Sequence, residues 1–191
     1  MTQRYYAPEL PKTEATIRLS EPESQHALRV MRLAVGDSLT VFDGLGHESP
    51  ATVASISRNA CECLVEGAIA VDRSPVRELQ FAVALPKHDR ARELIERLTE
   101  LGVKLVVPLI AQRSQRGPSA SSIVKLERAV IEACKQCGRN DLMTISPPLT
   151  TREFFGHSIE ADDGLIAHGG PPASRVMTLD HLGCQWQAHD S

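Results

Sequence analysis

Aromatic side chains are scarce in this sequence. They make up 4% of the 191 residues, so any core has to be built from Leu, Val, Ile and Ala. Long hydrophobic runs are missing too. No apolar stretch approaches the roughly 20 residues that cross a bilayer, and the opening "MTQRYYAPEL" has no apolar signal core. Both absences point away from a membrane and toward a cytoplasmic protein. Strong net charge is also lacking. A formal charge of −3 argues against a protein that holds nucleic acid through bulk charge alone. What is present is ordinary for a globular chain: 42% hydrophobic and 24% charged residues, with room for one large or two small domains.

The charge is unevenly spread. Lys87 to Arg139 holds 11 Lys and Arg against 6 Asp and Glu, or +5, which leaves −8 for the rest. A basic middle inside an acidic chain can meet phosphate, because the local field decides. The same count also suits solvated helix faces of mixed charge. The five cysteines invite a metal or redox reading. Cys61 and Cys63 alternate along "ACECLVEG", and Cys134 and Cys137 form C-x-x-C at the end of an apolar helical stripe with Ile123, Leu126, Val130 and Ala133. A redox pair needs the positive end of a helix dipole, and this pair sits at the negative end, before Gly138. Buried small side chains are the expectation, with no metal ligands.

From residue 4 to about 70 the chain reads as short strands divided by turns: "ATIRLS", "DSLTVFDG", "SPATVASIS" and "CECLVEGAIAV". One helix, "ESQHALRVMRLAVGD", lies among them, which suggests a small β-barrel over residues 1–71. "DRSPVREL" marks a change of period, and residues 72–78 read as a linker. From residue 79 to 191 strands and helices alternate. "LQFAVALP" is a strand, "DRARELIERLTELG" a helix with Leu94, Ile95, Leu98 and Leu101 on one face, and "KLVVPLIA" a second strand. Gly102 supplies the left-handed cap that ends the helix. This β-α-β unit predicts parallel strands and a right-handed crossover. A helix over about 122–137, a strand at "LMTIS", a helix at "TTREFF" and a strand at "GLIAH" continue the pattern.

In open parallel sheets ligands bind beyond the carboxyl ends of the strands. Lys87 follows the first strand, and Arg113 and Ser114 follow the second, on the same edge. Gln136 and Arg139, at the end of the next helix, reach that edge only if packing turns them inward. Surface cations that keep strand ends soluble are the alternative reading. Among the early strands, Arg4, Arg29 and Arg32 suit phosphate contact. Tyr5 and Tyr6 could stack on a base, with at least one expected in the core, and His26 reads as a packing or capping histidine.

Together these segments resemble the ribosomal RNA small subunit methyltransferase E family. "RYYAPEL" is similar to the family's opening Arg and aromatics. "HALRVMRLAVGDSLTVFDGLG" resembles its His…Val-Leu-Arg segment and Phe-Asp-Gly-x-Gly turn. "LPKHDRARELIERLTELGVKLVVPLIAQRS" resembles its Lys…Glu-Leu-Gly-Val…Pro…Arg-Ser block, and "IEACKQCGR" its Glu-Ala-x-x-Gln-x-x-Arg helix end. The resemblance implies a PUA-like RNA-binding β-barrel followed by an α/β parallel-sheet domain of the SPOUT class, with S-adenosylmethionine in a C-terminal trefoil knot. It implies a homodimer that methylates N3 of a uridine in 16S rRNA of the small ribosomal subunit. Arg4, Arg29, Arg32, Lys87, Arg113, Gln136 and Arg139 are then the RNA-binding candidates; Arg113 and Arg139 are also the candidates for catalysis, with phosphate positioning as their alternative role. Methylating uracil N3 needs its weakly acidic imide proton lost, and an arginine beside the ring would stabilise the charge left behind.

One departure stands out. The family's Gly-Pro-Glu-Gly-Gly loop and its later Leu-Gly…Ile-Leu-Arg…Glu-Thr-Ala stretch have no counterpart after "GLIAHGG". The expectation is a SPOUT domain truncated before the knot, with no identifiable cofactor-binding residues. A catalytically inactive RNA-binding fragment is the alternative. An open sheet edge around "GLIAH" and "VMTL" would then favour loose self-association over one defined dimer.

Overall fold

The computed structural model describes residues 3–87, 89–111 and 117–156, which fall within one compact unit. Its first part is a sheet of short strands: β1 (Gln3–Tyr6), β2 (Ala15–Arg18), β3 (Ser38–Phe42), β4 (His47–Ile56), β5 (Cys61–Val65) and β6 (Ile69–Ala70). They are ordered β1-β3-β4-β5-β2, with β6 also on β4. β1 runs parallel to β3, and the other pairs are antiparallel. Among the described residues no pairing joins β1 to β2, so these ladders do not by themselves close a barrel.

Alternation in the sequence decides which face is buried. Ala51 and Val53 of β4 oppose Val65 and Cys63 of β5, and all four are buried with Tyr5, Leu39 and Val41. The helix expected between β2 and β3 starts as α1 (Glu21–Gln25), with Pro22 in its first turn. It continues as a π-helical turn (His26–Val30) and stops there, short of the Gly-Asp turn. Ser24 is buried, and its hydroxyl donates to the Leu19 carbonyl while accepting the Cys61 N–H.

No strand or helix occurs between Ala70 and Gln80. The second part then follows as β7 (Gln80–Val83), α2 (Asp89–Glu100), β8 (Leu105–Ile110), α3 (Ala120–Cys137), β9 (Thr144–Ile145), β10 (Leu149–Thr150) and α4 (Thr151–Gly156). β7 and β8 pair in parallel, as the β-α-β reading requires. On the other side of β8, β9 lies beside Leu105 and Val106 and β10 beside Leu109 and Ile110, both parallel. Pro147 and Pro148 separate them, because proline cannot donate to a ladder. "LMTIS" thus supplies only the first half of a broken edge strand.

Both crossovers step the same way across the sheet, so right-handedness puts α2 and α3 on one face, where they pack together. The Ser119 hydroxyl accepts the Ser122 N–H to cap α3, and Gly138 closes it at φ +81°. Its stripe of Leu126, Ala129, Val130, Ala133 and Cys134 follows helical spacing and meets Ile95, Leu98, Val106 and Ile145. Phe42 of β3 joins the same cluster and ties the two sheets together. Leu101, expected on the apolar face of α2, is 68% exposed because the helix ends at Glu100. Cys137 is exposed, whereas Cys61, Cys63 and Cys134 are buried as expected. Burial pushes the Cys63 and Cys134 thiols up to about 12, which keeps them protonated near neutral pH. The strand expected at "GLIAH", the stretch "VMTL" and Cys184 lie outside the described residues.

Candidate functional site

The carboxyl ends of the parallel strands form one edge of the second sheet. Lys87, four residues beyond β7, is exposed and makes no hydrogen bond or ion pair with another described residue. Arg152 and Phe155 of α4 flank a shallow depression with Thr151 and Gly156, close to the end of β10. Arg113 and Ser114, expected on this edge, lie outside the described residues. A nucleoside cofactor needs a concave site with convergent polar groups. The described residues of this edge form no such enclosure, so they do not by themselves fit S-adenosylmethionine.

Gln136 and Arg139 belong to the opposite end. A crossover helix runs antiparallel to its strands, so α3 finishes where the strands begin. The Thr144 N–H donating to the Lys104 carbonyl at 2.8 Å confirms that β9 starts beside the start of β8. Gln136 is exposed there and has no described partner. Arg139, expected to face RNA, is instead buried. Its guanidinium donates to the carbonyls of Thr99 (3.2 Å) and Val103 (2.7 Å) and to the Asp141 carboxylate (2.6 Å). Burial alone would raise the Asp141 carboxyl, but the Arg139 hydrogen bond and charge outweigh it and hold it low.

Arg4 is likewise turned inward. It donates to Glu48 Oε2 at 2.8 Å and to Asn140 Oδ1, with its guanidinium over the Phe42 ring. Glu48 also receives two bonds from Arg73, at 2.7 and 2.8 Å, and Arg73 reaches the Gly138 carbonyl. These bonds, those from Arg73 first, hold the Glu48 carboxyl down to about 2. Asn140 closes the network by donating to the Val71 carbonyl. A second ionic link lies nearby. Lys135 of α3, buried, donates to Glu23 Oε1 at 3.1 Å and to Glu132 at 3.0 Å, above the Tyr5 ring. Sequence reading missed Asn140, Glu23 and Lys135. A charged residue interrupting an apolar helical stripe, as Lys135 does beside Cys134, is the signal that could have found Lys135.

Tyr5 is core, with its hydroxyl on Gln3 and its ring edge-on to His26 at 6.1 Å, and Tyr6 is part-buried against Phe42. Neither offers an open ring for stacking. Of the cations on the first sheet's side, Arg29 and Arg32 are exposed and make no hydrogen bond or ion pair with another described residue. Exposed cations that bond no other described residue thus include Arg29 and Arg32 on the turn after α1 and Lys87 on the carboxyl edge, while the junction arginines hold the fold together.

Family models fit this two-part arrangement. Residues 19–66 match an RNA methyltransferase PUA domain and residues 72–182 an RNA methyltransferase domain. A Bacillus subtilis ribosomal RNA small subunit methyltransferase E is 31% identical over 182 residues, covering 87% of this chain and 68% of that protein. The chain belongs to the ribosomal RNA small subunit methyltransferase E family. A Synechocystis member is 32% identical over 141 residues, covering 74% of this chain and 46% of its own length, so the chain spans about half of that relative. A Legionella pneumophila methyltransferase solved with bound S-adenosylmethionine matches at TM-score 0.79 and 27% identity, over 86% of this chain and 69% of that one. S-adenosylmethionine is the family's cofactor. The fold is a PUA domain followed by a parallel α/β methyltransferase domain.

Proposed function

We propose that this protein transfers a methyl group from S-adenosylmethionine to N3 of a uridine in 16S rRNA of the small ribosomal subunit, in the cytoplasm. The observation that carries the reading is the order along one chain of a PUA domain and an RNA methyltransferase domain, each leaving cations open to a polyanion. Arg29, Arg32 and Lys87 are the RNA-binding residues of this proposal, with Gln136 a lesser contact at the far end of the sheet. Arg113 is the residue proposed to stabilise the uracil anion as the imide proton leaves. Arg4 and Arg139 drop out of the RNA-facing set, since their guanidinium groups are committed to protein acceptors. A homodimer is part of the same reading.

The second reading, RNA binding without methyl transfer, is favoured by the lack of a cofactor enclosure among the described residues of the carboxyl edge. One experiment separates the two. The protein is incubated with methyl-labelled S-adenosylmethionine and unmodified small ribosomal subunits, and the RNA is digested to nucleosides. Labelled N3-methyluridine supports the first reading. Retention of 16S rRNA without label supports the second, and RNA that is neither labelled nor retained would remove both.

A further inference from the structure

The segment between Arg29 and Val35 carries features that the fold does not require. His26–Val30 is a π-helical turn, with the Met31 N–H donating to the His26 carbonyl at 3.0 Å. Such turns are rare and recur at functional sites. Arg32 follows at φ +55°, and it alone among the described non-glycine residues has positive φ. A left-handed backbone is disfavoured for so long a side chain. The turn is pinned from within: Ala27 is buried, Leu33 packs on the first core, and the Leu33 N–H donates to the Ala27 carbonyl. What it presents outward is a mixed surface. Val30 is 64% exposed, Met31 39% and Val35 62%, beside Arg29 and Arg32, which are exposed and bond no other described residue.

We propose that this turn reads unpaired bases of RNA, with Val30, Met31 and Val35 against base faces and Arg29 and Arg32 on the flanking phosphates. The proposal rests on the RNA-acting reading above and adds the class of RNA. Clustered apolar side chains on a surface mark a place that a partner covers. The charge selects the partner: the run Arg29 to Val35 holds two cations, and the nearby Asp37 carboxylate is engaged by the Ala34 N–H at 2.8 Å. A duplex offers such a turn little beyond phosphates and 2′-hydroxyls, because its base faces are stacked and its major groove is too narrow for side chains. An unpaired base offers a flat apolar face next to a phosphate, which matches the alternation of the turn.

The test uses the full 191-residue protein and two RNAs of equal phosphate number, one single-stranded and one a blunt duplex. Val30→Ser with Met31→Ser removes the apolar surface and keeps the charge. It should weaken single-strand binding about tenfold and leave duplex binding within about twofold. Arg29→Gln with Arg32→Gln should weaken both. Equal loss on both RNAs, or no loss, in the serine variant would overturn the base-reading inference while the RNA-acting reading stands. Failure of the unaltered protein to bind either RNA would overturn both. If the serine variant instead loses only a concentration-dependent dimer, seen by light scattering, the turn is a contact between copies and the inference fails. A thermal midpoint matching the unaltered protein shows that the serines act at the surface.

Discussion

A guanidinium carries five N–H donors, and what they bond separates the junction arginines from others among the described residues. Arg139, Arg4 and Arg73 aim theirs at carbonyls and carboxylates inside the junction, whereas Arg29 and Arg32 are exposed and bond no other described residue. The junction predicts acid sensitivity. Glu48 is held at about 2 against an ordinary 4.5, so the folded state takes up its proton later than the unfolded chain. Its contribution is complete above pH 4.5 and lost as pH falls through about 2. Glu48→Gln should therefore lower stability by roughly 3 kcal/mol at pH 7, and the gap to the unaltered protein should narrow as urea unfolding is repeated toward pH 3. A gap independent of pH would contradict the pairing. The Lys135–Glu23 link makes a different prediction. Lys135→Met strands a buried carboxylate and should cost about 3 kcal/mol or more. Adding Glu23→Gln should restore a large part of the loss, and strict additivity in the cycle would show that the two charges do not sense each other.

At the scale of elements, the end of α2 is the tightest point. The Val103 N–H bonds the Leu98 carbonyl and the Gly102 N–H the Thr99 carbonyl, a helix stop that needs a left-handed residue, and Gly102 has φ +82°. A Cβ there would also lie 2.3 Å from Pro75 Cγ. Gly102→Ala should cost about 2 kcal/mol or more, beyond the ~1 kcal/mol of backbone strain alone. An unchanged urea midpoint would mean that the Pro75 segment gives way freely. This turn was legible in the sequence because Glu-Leu-Gly is a local signal, as are the alternation of β4 and β5 and the stripe of α3. The fate of Arg139 was not legible. Its position at the end of α3 is local, but its acceptors sit on Thr99 and Val103, forty and thirty-six residues back. No spacing rule reports contacts of that range. Tyr5 shows the same limit: the sequence puts at least one of Tyr5 and Tyr6 in the core, and only the packing of His26 and Lys135 around its ring shows that Tyr5 is one.

At the scale of the whole molecule, topology sorts the candidate residues by position. The sheet's carboxyl edge keeps Lys87, its opposite edge takes the ionic junction with the PUA part, and the turn after α1 holds Arg29 and Arg32. In the proposed function, RNA meets the exposed cations and not the junction. The most direct measurement is the salt dependence of affinity for a 16S rRNA fragment. Removing a cation that neutralises one phosphate should flatten the slope by roughly 0.7 to 0.9. Arg29→Ala and Arg32→Ala should each flatten it by about that amount with little change in thermal midpoint. Arg139→Ala should lower the midpoint and leave the slope of the remaining folded protein unaltered. A flattened slope for Arg139→Ala, with slopes unchanged for Arg29→Ala and Arg32→Ala, would contradict the account.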